Sequence, residues 1–451
     1  MNPSEEFLAL LRCPVTGGAL TQAGAELHSA DGEHEYPLIR GIPWLLPHPR
    51  NSLLDWGAKL NHFRQVLAAE ADGLERELKS APAASQARLA QLRDAKRAFL
   101  AGVTDLVTPI ASARVAEKSL YDVLRDRAPS TQNLLSYEAN LYRDWIWGDE
   151  ENQRNCKLVL DQLGETGVSR LLVLGAGSAR LAYDLHTALQ PGLTVATDIN
   201  PLLLLAAERV FSGAGFSLHE FPPQPRDSGS VAIEQSFEGL GEWPAGLQLA
   251  FADVARNAFE PGAFDAVVTP WLIDIQPHEL SRFLTDLNQY LPIGGHWVNF
   301  GSLVFNQRRD AFCYTVEEVA EIAADCGFAV NEPVETELPY LRSPHNAGYR
   351  MERVWAWRSE KTADVAARED AQVLPGWVLD TDKPIPRVRY FDDFARAHRV
   401  NGELAAEVDG KTSIAAIAGR LAKQNNMDRA EALQLVRNFF LEIYRANNPG
   451  A

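Results

Sequence analysis

Gly175 and Gly177 stand one residue apart, directly after the apolar run Leu171-Leu172-Val173-Leu174 and directly before Ser178-Ala179-Arg180-Leu181. This reads as a buried strand turning into a helix. Glycine at such a bend, with Ala176 between, lets the backbone turn tightly and a ligand come close, facing the unpaired N–H groups of the helix start. A second apolar run, 194–197, ends in Asp198, 21 residues beyond Gly177. At that separation a carboxylate can accept from both hydroxyls of a ribose. A third, Leu249-Ala250-Phe251-Ala252, leads into Asp253, placed to accept from an adenine amino group. The set points to a nucleotide-type ligand and leaves two readings open. A nicotinamide dinucleotide site usually carries a third glycine where Arg180 stands; S-adenosylmethionine would use that cation at its methionine carboxylate, although a guanidinium also suits a phosphate. The plainer reading of Asp198 is a helix cap before Asn200-Pro201, and of Asp274 a cap before Gln276-Pro277.

Positioning these groups requires alternating strands and helices. Apolar runs at 170–174, 194–197, 266–271 and 297–300 are separated by helix-like segments at 180–189, 202–209 and 280–290. Such alternation predicts an α/β fold with a doubly wound, mostly parallel sheet over 164–360, ended by an antiparallel pair at 329–335 and 353–358. Ligands of these sheets sit at the carboxyl ends of the strands. Asp274, just past the run 266–271, is therefore expected to orient or deprotonate the second reactant. Residues 1–49 read as a small β unit rich in Pro and Gly. Apolar stripes over 50–163 predict a helical region, and 371–451 reads as a small helical unit after a polar linker.

Of 451 residues, 46% are apolar and 23% charged, which fits a globular chain of several domains. The net charge of −17 argues against broad binding to nucleic acid. Four scattered cysteines suit a reducing cytoplasm, and the N-terminus lacks a basic signal-peptide start; no apolar run is long enough to span a membrane. His278 and His296 are single histidines and are expected to be structural.

At these residues the chain resembles class I S-adenosylmethionine-dependent methyltransferases, and more narrowly the carnosine N-methyltransferase family. The likeness lies in Gly175-Ala176-Gly177 through Arg180-Leu181, in Phe264-Asp265-Ala266-Val267-Val268-Thr269 into Leu272-Ile273-Asp274, in Pro292-Ile293-Gly294-Gly295 through Phe300-Gly301, and in Tyr142-Arg143-Asp144-Trp145. The resemblance implies a Rossmann-like fold with a helical lid and S-adenosylmethionine as cofactor. It places Arg143 at the cofactor carboxylate, and Asn200, Val254 and Pro270 with the glycine loop around the cofactor. Asp274 would face the acceptor, with Trp271, Tyr340 and Tyr349 shaping the acceptor pocket. Where the family carries a substrate-facing histidine, this chain has Asn306.

Two flanking segments resemble other families. Leu10-Leu11-Arg12-Cys13-Pro14 with Tyr36-Pro37-Leu38-Ile39-Arg40-Gly41-Ile42-Pro43 is similar to a Trm112-type zinc ribbon, but Thr16 stands where a second cysteine would be. Tetrahedral zinc needs four ligands, and Cys13 with the isolated His34 and His48 does not supply them, so the segment is expected to hold no metal. Val408-Asp409-Gly410-Lys411-Thr412-Ser413-Ile414 with Ala416-Ile417-Ala418 resembles a PqqD-like, winged-helix-like peptide-binding domain. The resemblances together imply N-methylation of a histidine-containing ribosomal peptide whose leader binds 371–451. The alternatives are a small histidine-containing dipeptide or amine as acceptor, and a non-catalytic subunit that binds S-adenosylmethionine. A homodimer is one assembly the reading allows.

Overall fold

The computed structural model describes residues 3–47, 49–111, 134–276, 279–305, 310–366 and 382–447. The chain begins with helix α1 (Glu5–Leu10) and strands β1 (Leu20–Ala23), β2 (Glu26–Ser29), β3 (Glu35–Ile39) and β4 (Ile42–Leu45). The long helices α2 (Pro49–Leu78) and α3 (Ala83–Ala111) follow, then α4 (Asp149–Leu163). The alternating region contains β5 (Arg170–Leu174), α5 (Arg180–Leu189), β6 (Leu193–Asp198), α6 (Pro201–Phe211) and the hairpin β7 (Phe216–Glu220) and β8 (Ile233–Phe237). It continues through β9 (Leu247–Ala252), β10 (Ala266–Pro270), α7 (Leu280–Tyr290), β11 (His296–Gly301), α8 (Val316–Asp325), β12 (Phe328–Val330), β13 (Val334–Tyr340) and β14 (Arg350–Lys361).

The expected parallel sheet is present, with β9, β6, β5, β10 and β11 adjacent in that order and every neighbouring pair parallel. The chain winds outward from β5 through β6 to β9, then crosses to β10 and β11, so the winding direction reverses between β5 and β10. The loops after those two strands part there and leave a crevice. The antiparallel end is built differently from expectation. Positions 329–335 divide between β12 and β13, and both pair with the long β14. The β7–β8 hairpin pairs outside the main sheet and is an addition to the alternating pattern.

The N-terminal segment is continuous with this sheet. All four residues of β4 are buried, and the strand pairs in parallel with β9, Trp44 opposite Phe251 and Leu45 opposite Ala252. Arg12 N donates to Ala258 O (2.8 Å) and Glu260 N to Leu10 O (2.7 Å). Phe7, Leu11, Tyr36 and Leu45 share one core with Leu172, Val195, Phe259 and Leu284, on one face of the sheet. The opposite face carries a second core, where α2, α3, α4, α5 and α6 meet Leu171, Val173 and Ala196. Cys13 is buried, its Sγ 3.0 Å from the Tyr36 hydroxyl.

Residues 382–447 form α9 (Arg389–Ala406), α10 (Ile414–Asn425) and α11 (Arg429–Asn447) around a small core of Leu404, Ile417, Ala418, Ala422, Ala432 and Val436. No strand occurs among the described residues of this unit. Among the described residues, no helix is long and apolar enough to cross a membrane.

Candidate active site

The glycine turn is held by two demands on backbone geometry. Gly175 has φ +65°, and a Cβ on it would fall 2.7 Å from Leu272 Cδ1. Gly177 has φ +58°, yet a Cβ there would meet no protein atom within 4 Å, because that side faces open space. The N–H of Gly177 donates to Asp198 Oδ2 (2.9 Å) and that of Asn200 to Asp198 Oδ1 (2.8 Å). Burial pushes the Asp198 carboxyl up to about 6 against these stabilising bonds. Each oxygen keeps acceptor capacity for a further donor. Gly175, Ala176, Gly177, Asp198, Asp253, Val254 and Pro270 all line one cleft of about 1310 Å³. A single small-molecule site runs to roughly 300–1,000 Å³, so this cleft has room for a second reactant.

One wall is the segment Ala139–Tyr142, which runs into a single π-helical turn, Arg143–Trp147. Such turns recur at functional sites because they displace side chains from the helical register. Here the turn lets Arg143 line the cleft while its Nε donates to Asp144 Oδ1 (2.7 Å) and Nη1 to Glu151 Oε1 (3.4 Å). Asn152 Nδ2 pins the turn by donating to Arg143 O and Asp144 O, and Ser178 Oγ ties Asp144 to the glycine loop (2.5 Å). Two buried acceptors on the same wall, Asn140 Oδ1 and Asn155 Oδ1, have no partner among the described residues. A guanidinium beside two orphaned acceptors suits a ligand end carrying a carboxylate and an ammonium.

Two expected ligand contacts lie elsewhere. Arg180 does not line the cleft: it pairs with Asp184 (3.0 Å) and Asp149 (3.2 Å), donates to Asp144 O (2.6 Å), and sits over the Trp145 ring. It clamps the π turn onto α5, and its donors are used there. Arg180→Ala should lower stability by about 1–3 kcal/mol in denaturant unfolding, because the half-buried Asp184 loses its charged partner. Asn200 is fully buried, caps α6 by accepting from Leu202 N (3.0 Å), and donates to Leu134 O and Ser136 O. It fixes the loop that carries Tyr137 into the cleft.

The other end of the cleft is aromatic and acidic. Trp271, at φ +43°, packs edge-on against Phe300 and Tyr340, and its Nε1 donates to Glu352 Oε2 (3.1 Å). The Arg350 guanidinium lies 4.3 Å from the Tyr340 ring centre and 2.6 Å from Glu352 Oε1. Asp274 sits in the turn Ile273–Ile275 after β10, where its Oδ2 accepts from Val304 N (3.0 Å); burial raises its carboxyl above the ordinary range. Tyr137, Trp271, Leu303 and Leu341 all have positive φ and stand at or beside this end. Backbone strain of that kind concentrates where a site must be held open.

Tyr349 is not brought in. It is 65% exposed, stacked under Arg342 in a loop that hydrogen-bonds to 224–226, and it does not line the cleft. Asn306 and His278 lie outside the described residues. His296 begins β11, at the amino end of the strand and away from the cleft at its carboxyl end. Sequence reasoning missed Asn140, Asn155, Arg350 and Glu352. Asn140 is one helical turn before Arg143, and Arg350 and Glu352 share a strand face at spacing two, so both signals were present in the spacing.

The carboxylate-flanked glycine turn, the switch-point crevice and the guanidinium with orphaned acceptors fit an S-adenosylmethionine-dependent methyltransferase. Residues 238–361 match the family model of carnosine N-methyltransferase. No curated protein sequence matches the chain. Similar solved structures include the N-methyltransferase NodS from Bradyrhizobium japonicum in complex with S-adenosyl-L-homocysteine (16% identity, 50% of this chain and 96% of that one, TM-score 0.34). Others are a possible histamine N-methyltransferase from Thermotoga maritima (12%, 51% and 99%, 0.31) and a complex of the Haloferax volcanii Trm112 methyltransferase activator with a methyltransferase (12%, 50% and 97%, 0.35).

A carboxyl that accepts from both hydroxyls of a ribose must be ionised, the role expected of Asp198. Below pH about 6 the affinity for S-adenosylhomocysteine should therefore fall, approaching tenfold per pH unit. In Asp198→Asn, titration calorimetry should show no such slope over the same range.

Proposed function

We propose that the chain methylates a nitrogen of a small histidine-containing dipeptide or related amine, acting in the cytoplasm. The observation that carries this reading is the placement of Asp274, buried on the acceptor side of the glycine turn with its carboxylate lining the cleft. The family match over 238–361 supports it, since that stretch holds Asp253, Asp274, Tyr340 and Glu352.

When bound, S-adenosylmethionine supplies a methyl group on a sulfonium centre. Arg143 and the acceptors of Asn140 and Asn155 would hold its amino-acid end, and Asp198 and Asp253 its ribose and adenine. Asp274 accepts the N–H of the acceptor's imidazole or amine, which selects the tautomer with its lone pair free and stabilises the positive charge as it develops. Glu352 adds a second carboxylate at the same end and fixes Trp271. Trp271 and Tyr340 exclude water and limit the acceptor's orientations.

A second reading, a peptide acceptor bound through the C-terminal unit, is favoured by the exposed apolar side chains of Ile385, Phe394 and Val408 there. Methyl-labelled S-adenosylmethionine offered with histidine dipeptides and with histidine-containing peptides separates the readings. Label on dipeptides supports the first. Label confined to peptides, lost when 382–447 is removed, supports the second. Cofactor binding with no labelled product supports a non-catalytic role.

A further inference from the structure

The parallel pairing of β4 with β9 has a geometric consequence. Because Leu45 lies opposite Ala252, the residues that follow β4, Leu46 and Pro47, leave the sheet at the same edge as Asp253 and Val254, and all four line the cleft. The chain then turns into α2, whose first turn is pinned to the sheet: Trp44 Nε1 donates to Ser52 Oγ (2.8 Å), and Ser52 Oγ donates to Pro49 O (2.9 Å). One turn on, Asp55 and Trp56 also line the cleft. Lys59 braces this pair, its Nζ 2.9 Å from Asp55 Oδ2 and 4.3 Å from the Trp56 ring centre.

We propose that α2 closes the nucleoside end of the cofactor site, with Asp55 as a second carboxylate in the cleft that Asp253 lines. This rests on the reading of the cleft as an S-adenosylmethionine site. The N-terminal segment is thereby part of the binding site and not only an extension of the sheet. The chemistry of the wall selects its ligand. Asp55 and Asp253 can accept from the N–H and O–H donors of a nucleoside, while Trp56, only 3% exposed, is packed in the core beside Asp55 and fixes the turn that carries it.

The test is titration calorimetry of the full chain with S-adenosylhomocysteine. Asp55→Ala should weaken binding about tenfold, the loss of one hydrogen bond to a charged acceptor. Asp55→Asn, which keeps the shape and one acceptor oxygen, should weaken it about threefold. Asp72→Ala, the same change at an exposed position further along α2, should leave affinity unaltered. Unchanged affinity in both Asp55 variants, or an equal loss in Asp72→Ala from general electrostatics, would overturn the assignment. Failure of the unaltered chain to bind S-adenosylhomocysteine would instead overturn the methyltransferase reading on which it stands.

Discussion

Gly177→Arg should yield a folded protein that no longer binds S-adenosylhomocysteine. At φ +58° any side chain costs about 1–2 kcal/mol of backbone strain, which a domain of this size tolerates. The decisive term is steric. A Cβ at 177 meets no protein atom within 4 Å, so the arginine would extend into the cleft itself, where the ligand must approach the loop backbone. The expected loss is over 100-fold in affinity, read by calorimetry, with the thermal midpoint lowered by only a few degrees. Gly175→Ala should behave differently. Its Cβ would collide with Leu272, which lies in the core on the opposite face, so stability should fall before binding can be judged. Near-normal affinity in Gly177→Arg would remove the glycine turn from the binding site.

Asp274→Asn should lower kcat by roughly 100- to 10,000-fold, the range for loss of a positioned proton acceptor, while affinity for S-adenosylhomocysteine stays unchanged. The asparagine oxygen can still accept from Val304 N, so the turn after β10 should persist. Burial raises the Asp274 carboxyl, with the nearby Glu352 charge adding to the effect. The ionised form is the one that accepts a proton or a hydrogen bond. In the unaltered chain kcat should therefore rise with pH through a value above that of an ordinary aspartate, and this acidic limb should vanish in the variant. Full turnover in Asp274→Asn, or an unchanged pH profile, would move the acceptor role to another residue, with Glu352 next in line.

The glycine turn and its carboxylates were legible because each is a local pattern. An apolar run, a bend and an acidic residue at the end of the next strand are neighbours in sequence before they are neighbours in space. Helices α5 and α7 likewise announced their limits through apolar periodicity. Arg180 shows where that reasoning stops. Its place in the loop suggested a ligand contact, but one turn of α5 brings Asp184 beneath it, and the π turn brings the Asp144 carbonyl and Asp149 against it. Tyr349 fails as a ligand contact for a related reason. The resemblance places it at the acceptor, while the loop before β14 holds it in solvent.

From its sequence this chain determines an α/β sheet with a glycine turn after β5, since apolar patterning and glycine conformation are local properties of the chain. Only the tertiary structure decides that β4 joins the sheet beside β9, that α2 reaches the cleft, and that Arg350 and Glu352 meet Trp271 and Tyr340. The contacts of β4 with β9, of α2 with the cleft and of Glu352 with Trp271 join segments scores to hundreds of residues apart, and the energies that choose them are packing and hydrogen-bond complementarity, which local spacing does not record.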